Sequence, residues 1–233
     1  MKVSIGYLPL KNIDADVFMH PIRVENKECI AFEPKAEEAV IGLITKYFCN
    51  GKVPEIIQKY FDEMDDGYLF SESNFDEFDL EKIESLKILI VGKDVLLHPR
   101  FENIKKFLEI LSYFGGIKIE GVRLDNIFEP SDPELAEIAE IEKEVLPDEI
   151  EELDSFDGSV VYECDDPKIV KKNELLCSQQ FIIANKIKSL EVYVNDELKV
   201  VKKLPELKGT FGVVLEVSKD YPFKRVKINV LTK

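Results

Sequence analysis

The sequence predicts an α/β fold, in which a Rossmann-like layer of parallel strands and helices precedes a small β-barrel-like domain. Two observations support this prediction. Residues 86–119 follow a strand–helix–strand pattern without interruption, and beyond residue 155 helical periodicity gives way to short β-favouring runs separated by turns. We therefore expect an α/β domain over residues 1–154, ending in an acidic linker, and a β-rich domain over residues 155–233.

The stretch from residue 86 to residue 119 predicts a βαβ unit. Residues 87–92 form an apolar run ending in glycine, which is typical of a strand buried on both faces of a parallel sheet. Residues 99–111 begin with a proline and carry apolar side chains at spacings of three and four, which favours a helix. Two glycines at 115 and 116 end that helix, and the next strand begins at once. A parallel pair requires such a crossover.

The first 33 residues predict two or three short strands, at residues 17–20, 22–24 and 29–32, whereas residues 1–9 have the composition of a turn. Amphipathic spacing then predicts several helices, and residues 147–153 are interpreted as a linker too polar to pack firmly. The predicted helices cover residues 34–50, 54–64, 76–85 and 132–141.

The C-terminal part predicts a strand at residues 158–162 and a helix within residues 175–186. In that helix Phe181, Ile182 and Ala184 are expected on or near the buried face. A hairpin is predicted around Asn195, because alternating runs flank a short polar turn there. Further strands are predicted at residues 211–215 and 223–230, and so many short strands with one helix favour a small, nearly closed barrel.

Charge is distributed unevenly along the 233 residues. Of the formal net charge of −15, residues 159–233 contribute +4, with 14 Lys and Arg against 10 Asp and Glu, so residues 1–158 carry −19. The acidic part would repel nucleic acid, and the basic part is suited to an acidic protein. Apolar runs are far shorter than the roughly 20 residues of a membrane span, and no signal region is recognisable, so we expect a cytoplasmic protein.

Cofactor motifs are missing where the βαβ unit would carry them. The turn after its first strand contains one glycine, Gly92, and has Leu96 and Leu97 where a pyrophosphate needs close backbone approach. The histidines, His20 and His98, have no Ser or Cys partner at a recognisable spacing. His98 could line the carboxyl edge of the sheet, but a packed or surface histidine is the favoured interpretation.

Metal and thiol chemistry receive little support. The four cysteines, which are widely spaced, are interpreted as free thiols, and Cys177 is the one to test for reactivity because a helix N-terminus would favour its thiolate. The acidic residues from Asp62 to Gly67 superficially match a calcium loop. Met64 and Ser73 stand at two ligand positions of such a loop, so a calcium site is not predicted.

Several stretches share their pattern with one known family. They are residues 32–48, residues 66–74 (DGYLFSESN) and residues 90–108 (IVGKDVLLHPRFENIKKFL), followed by residues 156–165 and 176–186. Together they resemble the large iron–sulfur subunit of bacterial NADH-quinone oxidoreductase, respiratory complex I, in its molybdopterin-oxidoreductase-like portion. The last two stretches are similar to the crossing into that family's C-terminal β-barrel.

The resemblance implies a framework without the family's cofactors. The family's cysteine-rich cluster domains precede the part that this chain resembles, so no cluster of its own is expected. Molybdopterin enzymes carry a Gly-Asp turn and pterin contacts in the barrel, whereas residues 187–192 have neither. No bound cofactor is therefore expected.

The hypothesis that follows is a non-catalytic peripheral-arm subunit of a complex I-like enzyme, held at the cytoplasmic face of the inner membrane by other complex I subunits. It would act as a scaffold or dock an acidic electron donor such as a flavodoxin. The alternative is a small flavin- or nucleotide-binding oxidoreductase using the carboxyl edge of the strand at residues 88–91, and a free-standing interaction module is a third interpretation. The candidate docking residues are Lys202, Lys203, Lys224, Arg225 and Lys227.

Overall fold

The computed structural model describes residues 1–128 and 146–230, which form a parallel sheet with helices and a second, mixed sheet. The first strands are β1 (Lys2–Ile5), β2 (Val17–Met19), β3 (Arg23–Val24), β4 (Cys29–Ile30), β5 (Ile88–Val91) and β6 (Lys118–Glu120). The helices of this part are α1 (Glu37–Cys49), α2 (Glu55–Glu63), α3 (Asp66–Ser73), α4 (Glu77–Lys82), α5 (Lys93–Leu96) and α6 (Phe101–Tyr113).

The five-stranded sheet has the order β4-β2-β1-β5-β6, and all its neighbours are parallel. The predicted βαβ unit is confirmed, because β5 pairs with β6 and α6 lies between them in sequence. The prediction for the first nine residues was wrong. They contain β1, the central strand, in which Val3 and Ile5 are fully buried and Ser4 is 1% exposed.

Three predicted helices of the first part are present as α1, α2 and α4. Helix α4 has a capping box, in which Asp76 accepts from the Asp79 backbone and Asp79 from the Asp76 backbone. The acidic stretch from Asp62 that superficially matched a calcium loop covers the end of α2 and the start of α3. Tyr47, near the end of α1, is 45% exposed. The helix predicted at residues 132–141 lies outside the described residues.

The second sheet is a curled, mixed half-barrel with the order β13-β7-β12-β8-β10-β9-β14. The helix of this part is α7 (Gln179–Ala184). The strands of this part are β7 (Val160–Cys164), β8 (Glu174–Cys177), β9 (Glu191–Val194), β10 (Glu197–Lys203), β11 (Leu207–Lys208), β12 (Phe211–Leu215), β13 (Phe223–Arg225) and β14 (Ile228–Val230).

The predicted hairpin is confirmed as β9 and β10, joined by Asn195 and Asp196 at φ values of 46° and 71°. Two successive positive φ values are typical of the type I′ turn, whose twist suits the flanking strands. The strand predicted at residues 223–230 is divided into β13 and β14, which lie at opposite ends of the sheet order.

The helix predicted within residues 175–186 was only partly right. Residues 175–177 belong to β8, which is buried between β10 and β12. The helix α7 starts after Ser178, whose hydroxyl accepts from the Phe181 backbone at 3.0 Å. Phe181 is fully buried as expected, but Ile182 is half-buried and Ala184 is exposed, because the short helix contacts the sheet through one turn only.

Residues 146–153 form an extended strap along the first part, and their interpretation as a weakly packed linker was wrong. Leu146 is buried, and Ile150 and Leu153 pack against the core. The Asp148 backbone is bound from both sides by Asn103, with N to Oδ1 at 2.6 Å and Nδ2 to O at 3.0 Å. Buried backbone groups need such partners, and here side chains of α6 provide them.

Residues from the first part of the chain also contribute to the core of the mixed sheet. Leu8, Ile22 and Val24, all from the first part of the chain, pack with β7 and β12 residues, and β3 pairs with β11 in an antiparallel bridge. Residues near 155 lie where the strap ends and the mixed sheet begins, and the domain division at 154/155 stays a prediction. No helix within residues 1–128 and 146–230 is both long and apolar enough to cross a bilayer.

Candidate functional site

The carboxyl edge of β1 and β5 is the position at which an open α/β sheet would bind a ligand. From β1 the chain continues toward β2 and β4 on one side, and from β5 toward β6 on the other. Loops that leave neighbouring strands in opposite directions open a crevice between them. The residues that follow these strands therefore determine whether a ligand can bind here.

The backbone turns after β1 and β5 are in direct contact. Gly92 N donates to Ile5 O at 2.7 Å, and Asp94 N donates to Gly6 O at 3.2 Å. A Cβ at Gly92 would collide with the Gly6 carbonyl. The glycine that the sequence offers in this turn is thus required by the packing of the two loops.

A buried polar cluster of His20, Asp94 and Tyr162 fills the space above these turns. His20 Nδ1 accepts from Ile22 N at 2.9 Å, so Nε2 carries the proton and donates to Asp94 Oδ2 at 3.0 Å. Tyr162 OH donates to Asp94 Oδ1 at 2.9 Å. His20 is fully buried and Asp94 is 2% exposed, so the carboxylate depends on these two donors.

Tyr162 comes from the mixed sheet, so this cluster joins the two sheets. Its ring packs edge-on against His20 at 5.3 Å between centroids. Burial and the neighbouring Asp94 carboxylate both raise the pKa of Tyr162 far above its usual value. The phenol therefore stays protonated and acts as a fixed hydrogen-bond donor.

Two lysines close the rim of the same edge. Lys11 Nζ and Lys93 Nζ lie 2.7 Å and 2.9 Å from the two carboxylate oxygens of Asp165, the residue after β7. Hydrogen bonds from Lys11 and Lys93 lower the pKa of Asp165 to about 2. The cavity beside them measures about 10 Å³, which is at most enough for one water molecule.

The other histidine belongs to a second buried cluster between the sheets. Tyr221 OH donates to Glu37 Oε1 at 2.8 Å and accepts from Lys35 N at 2.6 Å. His98 Nδ1 accepts from Arg100 N at 3.1 Å, so its Nε2 donates to Lys35 O, also at 3.1 Å. Among the described residues Glu37 Oε2, although buried, has no hydrogen-bond partner.

Burial shifts the pKa values in this second cluster toward the neutral forms. The pKa of Glu37 rises to about 8 because the carboxylate is desolvated, and the pKa of His98 falls to about 4 for the same reason. At neutral pH, His98 is neutral and Glu37 is mainly protonated. His98 is therefore a packed histidine, in agreement with the favoured interpretation from the sequence.

Neither cluster has the arrangement of a nucleophilic site. Each contains an imidazole, a carboxyl group and a phenol, and within the described residues neither hydrogen-bond network includes a Ser, Thr or Cys side chain. The described residues also contain no group of three or more His, Cys, Asp and Glu side chains that could hold a metal ion. Both arrangements are suited to fixing one sheet on the other.

The thiols do not meet the conditions for reactivity. Cys177 does lie one residue before the N-cap of α7, as expected, but it is fully buried and desolvation raises its pKa to about 11. Burial likewise raises the pKa of Cys49 to about 12. The thiolate, which is the nucleophile, is thus disfavoured at both positions.

The candidate docking residues fall into two groups. Lys202 and Lys203 lie on β10 and are exposed, whereas Lys224 and Arg225 lie on β13, four positions away in the sheet order. Lys227 directly precedes β14 and bonds through its backbone to Asn195 in the turn between β9 and β10. Several are engaged within the chain, since Lys202 pairs with Glu174 at 3.6 Å, Lys224 with Asp220, and Arg225 with the Ser155 carbonyl. Their role in docking stays a prediction.

The comparisons with known proteins return no relative. No protein-family model, no curated protein and no solved structure matches the chain at a significant level.

Proposed function

We propose that this chain is a non-catalytic subunit of the peripheral arm of a complex I-like NADH-quinone oxidoreductase, where it holds other subunits or docks an electron donor. In this proposal the parallel sheet is a Rossmann-like layer, the mixed sheet is a barrel-like domain, and the protein is cytoplasmic, at the face of the membrane. The resemblance carried by residues 32–48, 66–74 and 90–108 motivates it.

One observation carries the non-catalytic part of the proposal. The carboxyl edge between β1 and β5 is occupied by His20, Asp94 and Tyr162, which satisfy one another with hydrogen bonds of 2.9–3.0 Å. A flavin or nucleotide at this edge would have to displace Tyr162 and leave a buried carboxylate short of a donor, at a cost of roughly 1–3 kcal/mol for that bond alone. The closed edge therefore favours a scaffold over a small flavin- or nucleotide-binding oxidoreductase.

The docking part of the proposal is supported by charge. The first 158 residues carry −19 and the remainder +4, so the mixed sheet offers the basic surface to an acidic donor protein. Lys202, Lys203 and Lys227 are exposed and would make the first contacts. An association of this kind weakens as ionic strength rises, since exposed charges are screened.

The test is purification of NADH-quinone oxidoreductase from native cells through an affinity tag on a different subunit, followed by quantitative mass spectrometry. This chain is expected in one-to-one proportion with the core subunits, and its depletion should release neighbouring peripheral subunits. A complex that contains no trace of the chain would overturn the proposal. An absorbance spectrum of the purified chain with a stoichiometric flavin band would instead support the oxidoreductase.

A further inference from the structure

A groove of about 1040 Å³ lies between α2, α3 and the strap of residues 146–153. It involves neither of the buried histidine clusters nor the candidate docking lysines. Its volume is at the upper end of small-molecule pockets, which suits the side chains of a bound polypeptide segment.

Helix α2 has two apolar stripes, of which one is fully buried in the core and the other also lines the groove. Ile57 and Phe61 are fully buried. Ile56, Tyr60 and Met64 recur every four residues and line the groove. Tyr60 and Met64 also pack against the core, whereas Ile56 is 37% exposed. A helix normally needs one apolar stripe, and the described residues cover the second stripe only in part, leaving Ile56 as an exposed apolar side chain at the groove.

Two hydrogen bonds fix the strap relative to α2 and α3, which form the opposite wall of the groove. Tyr60 OH donates to Asp148 O at 3.0 Å, and Leu153 N donates to Tyr68 OH at 3.3 Å. Behind the strap, Asn103 bonds to both backbone groups of Asp148. A partner would meet a preformed surface and would not have to order it on binding.

Acidic side chains surround the apolar floor. Against one lysine, Lys59, the lining contains five carboxylates, a net charge of −4. Within residues 1–128 and 146–230, Glu149 and Glu152 form no ion pair, and the Asp148 carboxylate is 3.8 Å from Lys106. The carboxylates are Glu63, Asp65, Asp148, Glu149 and Glu152.

We propose that this groove binds a basic amphipathic helix of a partner protein. Leucine-type side chains of the partner would cover Ile56 and Met64, and its lysines or arginines would meet Glu149 and Glu152. Charge and shape together favour such a partner over a second copy of this chain, whose net charge is −15 and whose basic residues in the mixed sheet, such as Lys202, Lys203 and Lys224, lie on strands and not on an amphipathic helix. Helix-in-groove recognition uses this combination of apolar anchors and flanking charge.

The test uses the purified chain and a labelled synthetic peptide of about 18 residues, made of Leu and Lys so that Leu recurs at helical spacing. Fluorescence anisotropy should show saturable binding that weakens with salt, and the same peptide with Glu in place of Lys should not bind. Amide hydrogen exchange should show protection in residues 55–69 and 146–153. Equal binding of the acidic peptide, or protection elsewhere, would overturn the proposal.

Matched variants locate the interaction. Glu149→Gln/Glu152→Gln should weaken binding roughly tenfold. The control Glu77→Gln/Glu81→Gln removes the same charge from exposed positions on α4 and should leave the affinity unchanged. Ile56→Asn should weaken binding similarly, whereas Phe78→Asn, at a residue 71% exposed on α4, should not. Equal losses in the two Glu→Gln variants would show that net charge alone drives binding, and equal losses in the two Asn variants would show that binding does not depend on Ile56. Either result would overturn the assignment.

A second copy of this chain is the remaining candidate occupant of the groove. Sedimentation velocity of the wild type should show a monomer, and the peptide should bind at the same affinity over the range of chain concentrations tested. A dimer that Ile56→Asn abolishes would assign the groove to a second copy and overturn the proposal. Because these measurements need only the purified chain, they fail or succeed independently of its membership in a respiratory complex.

Discussion

Tyr221 donates its hydroxyl proton to Glu37 at 2.8 Å, across the boundary between the two sheets, and both side chains are buried. Glu37 is the first residue of α1, and Tyr221, 184 residues further along the chain, precedes β13. Since the carboxyl group is desolvated and its Oε2 lacks a partner among the described residues, its protonated form fits the site better than its charged form.

Glu37 should make the stability of the fold depend on pH. Its pKa is about 8 in the folded chain against 4.5 for an exposed glutamate, so over this range the folded state holds a proton that the unfolded state has lost. The stability that protonated Glu37 contributes is fully present below about pH 4.5 and is lost as pH rises through about 8. Over this range the unfolding free energy should fall by at most about 1.4 kcal/mol per pH unit.

The variant Glu37→Gln imitates the protonated acid and should remove this dependence. In urea denaturation from pH 5 to pH 9, the unfolding free energy of the variant should fall less with pH than that of the wild type. Between pH 5 and pH 8 the difference between the two proteins should shift by about 1–3 kcal/mol in favour of the variant. Glu77→Gln, at an exposed position, is the control and should run parallel to the wild type. Parallel curves for wild type and Glu37→Gln would show that Glu37 titrates normally.

Tyr162→Phe tests the first cluster. The change keeps the ring but removes the donor to Asp94 Oδ1, leaving a buried carboxylate with its His20 bond only. We expect a loss of about 1–3 kcal/mol in unfolding free energy, with an unchanged slope in urea. Tyr193→Phe, at a residue 37% exposed on β9, should change stability by less than about 0.5 kcal/mol. Equal effects of the two substitutions would contradict the role given to Tyr162.

Asn103→Ala should release the strap without unfolding the chain. Asn103 binds both backbone groups of Asp148 and also donates to Glu38 Oε1 at 2.6 Å. Its removal leaves Asp148 N without its partner, whereas Asp148 O keeps Tyr60 and Glu38 keeps Arg100. Amide exchange in residues 148–153 should therefore accelerate by at least about tenfold while exchange in β5 stays slow. Asn173→Ala, at an exposed position, is the control. Unchanged exchange in the strap would mean that apolar packing of Ile150 and Leu153 is sufficient to hold it.

Much of the fold is predictable where the signals are local. The βαβ unit and the hairpin at Asn195 are encoded within about 35 residues by apolar spacing, glycines and a short turn. Strand β1 was missed because Lys2 and Ser4 interrupt its apolar pattern, and its burial comes from β2 and β5, which are distant in sequence. Residues 175–177 were assigned to a helix because a short apolar run does not distinguish a buried strand from a buried helix.

The clusters themselves could not be predicted from spacing. His20 and Asp94 are 74 residues apart, and Tyr162 is a further 68 residues along the chain. The sequence did offer one indirect signal, since both histidines were without recognisable partners, and a buried histidine requires partners from elsewhere. The groove was missed for a related reason, because its strap was interpreted as a polar linker.

Gly92→Ala distinguishes two roles that a glycine after a strand can have, phosphate binding and close packing of two loops. If Gly92 served a phosphate, its replacement would weaken a ligand and leave the fold intact. The structure instead has the Gly6 carbonyl where a Cβ would lie, so the substitution must separate the loops after β1 and β5. We expect a loss of more than about 3 kcal/mol in unfolding free energy. Gly67→Ala, inside α3 with its nearest neighbour 3.6 Å from the added Cβ, should stabilise the chain by about 0.5–1 kcal/mol. A stable Gly92→Ala variant, measured by thermal and urea unfolding beside that control, would show that this edge can open and would restore the ligand-binding alternative.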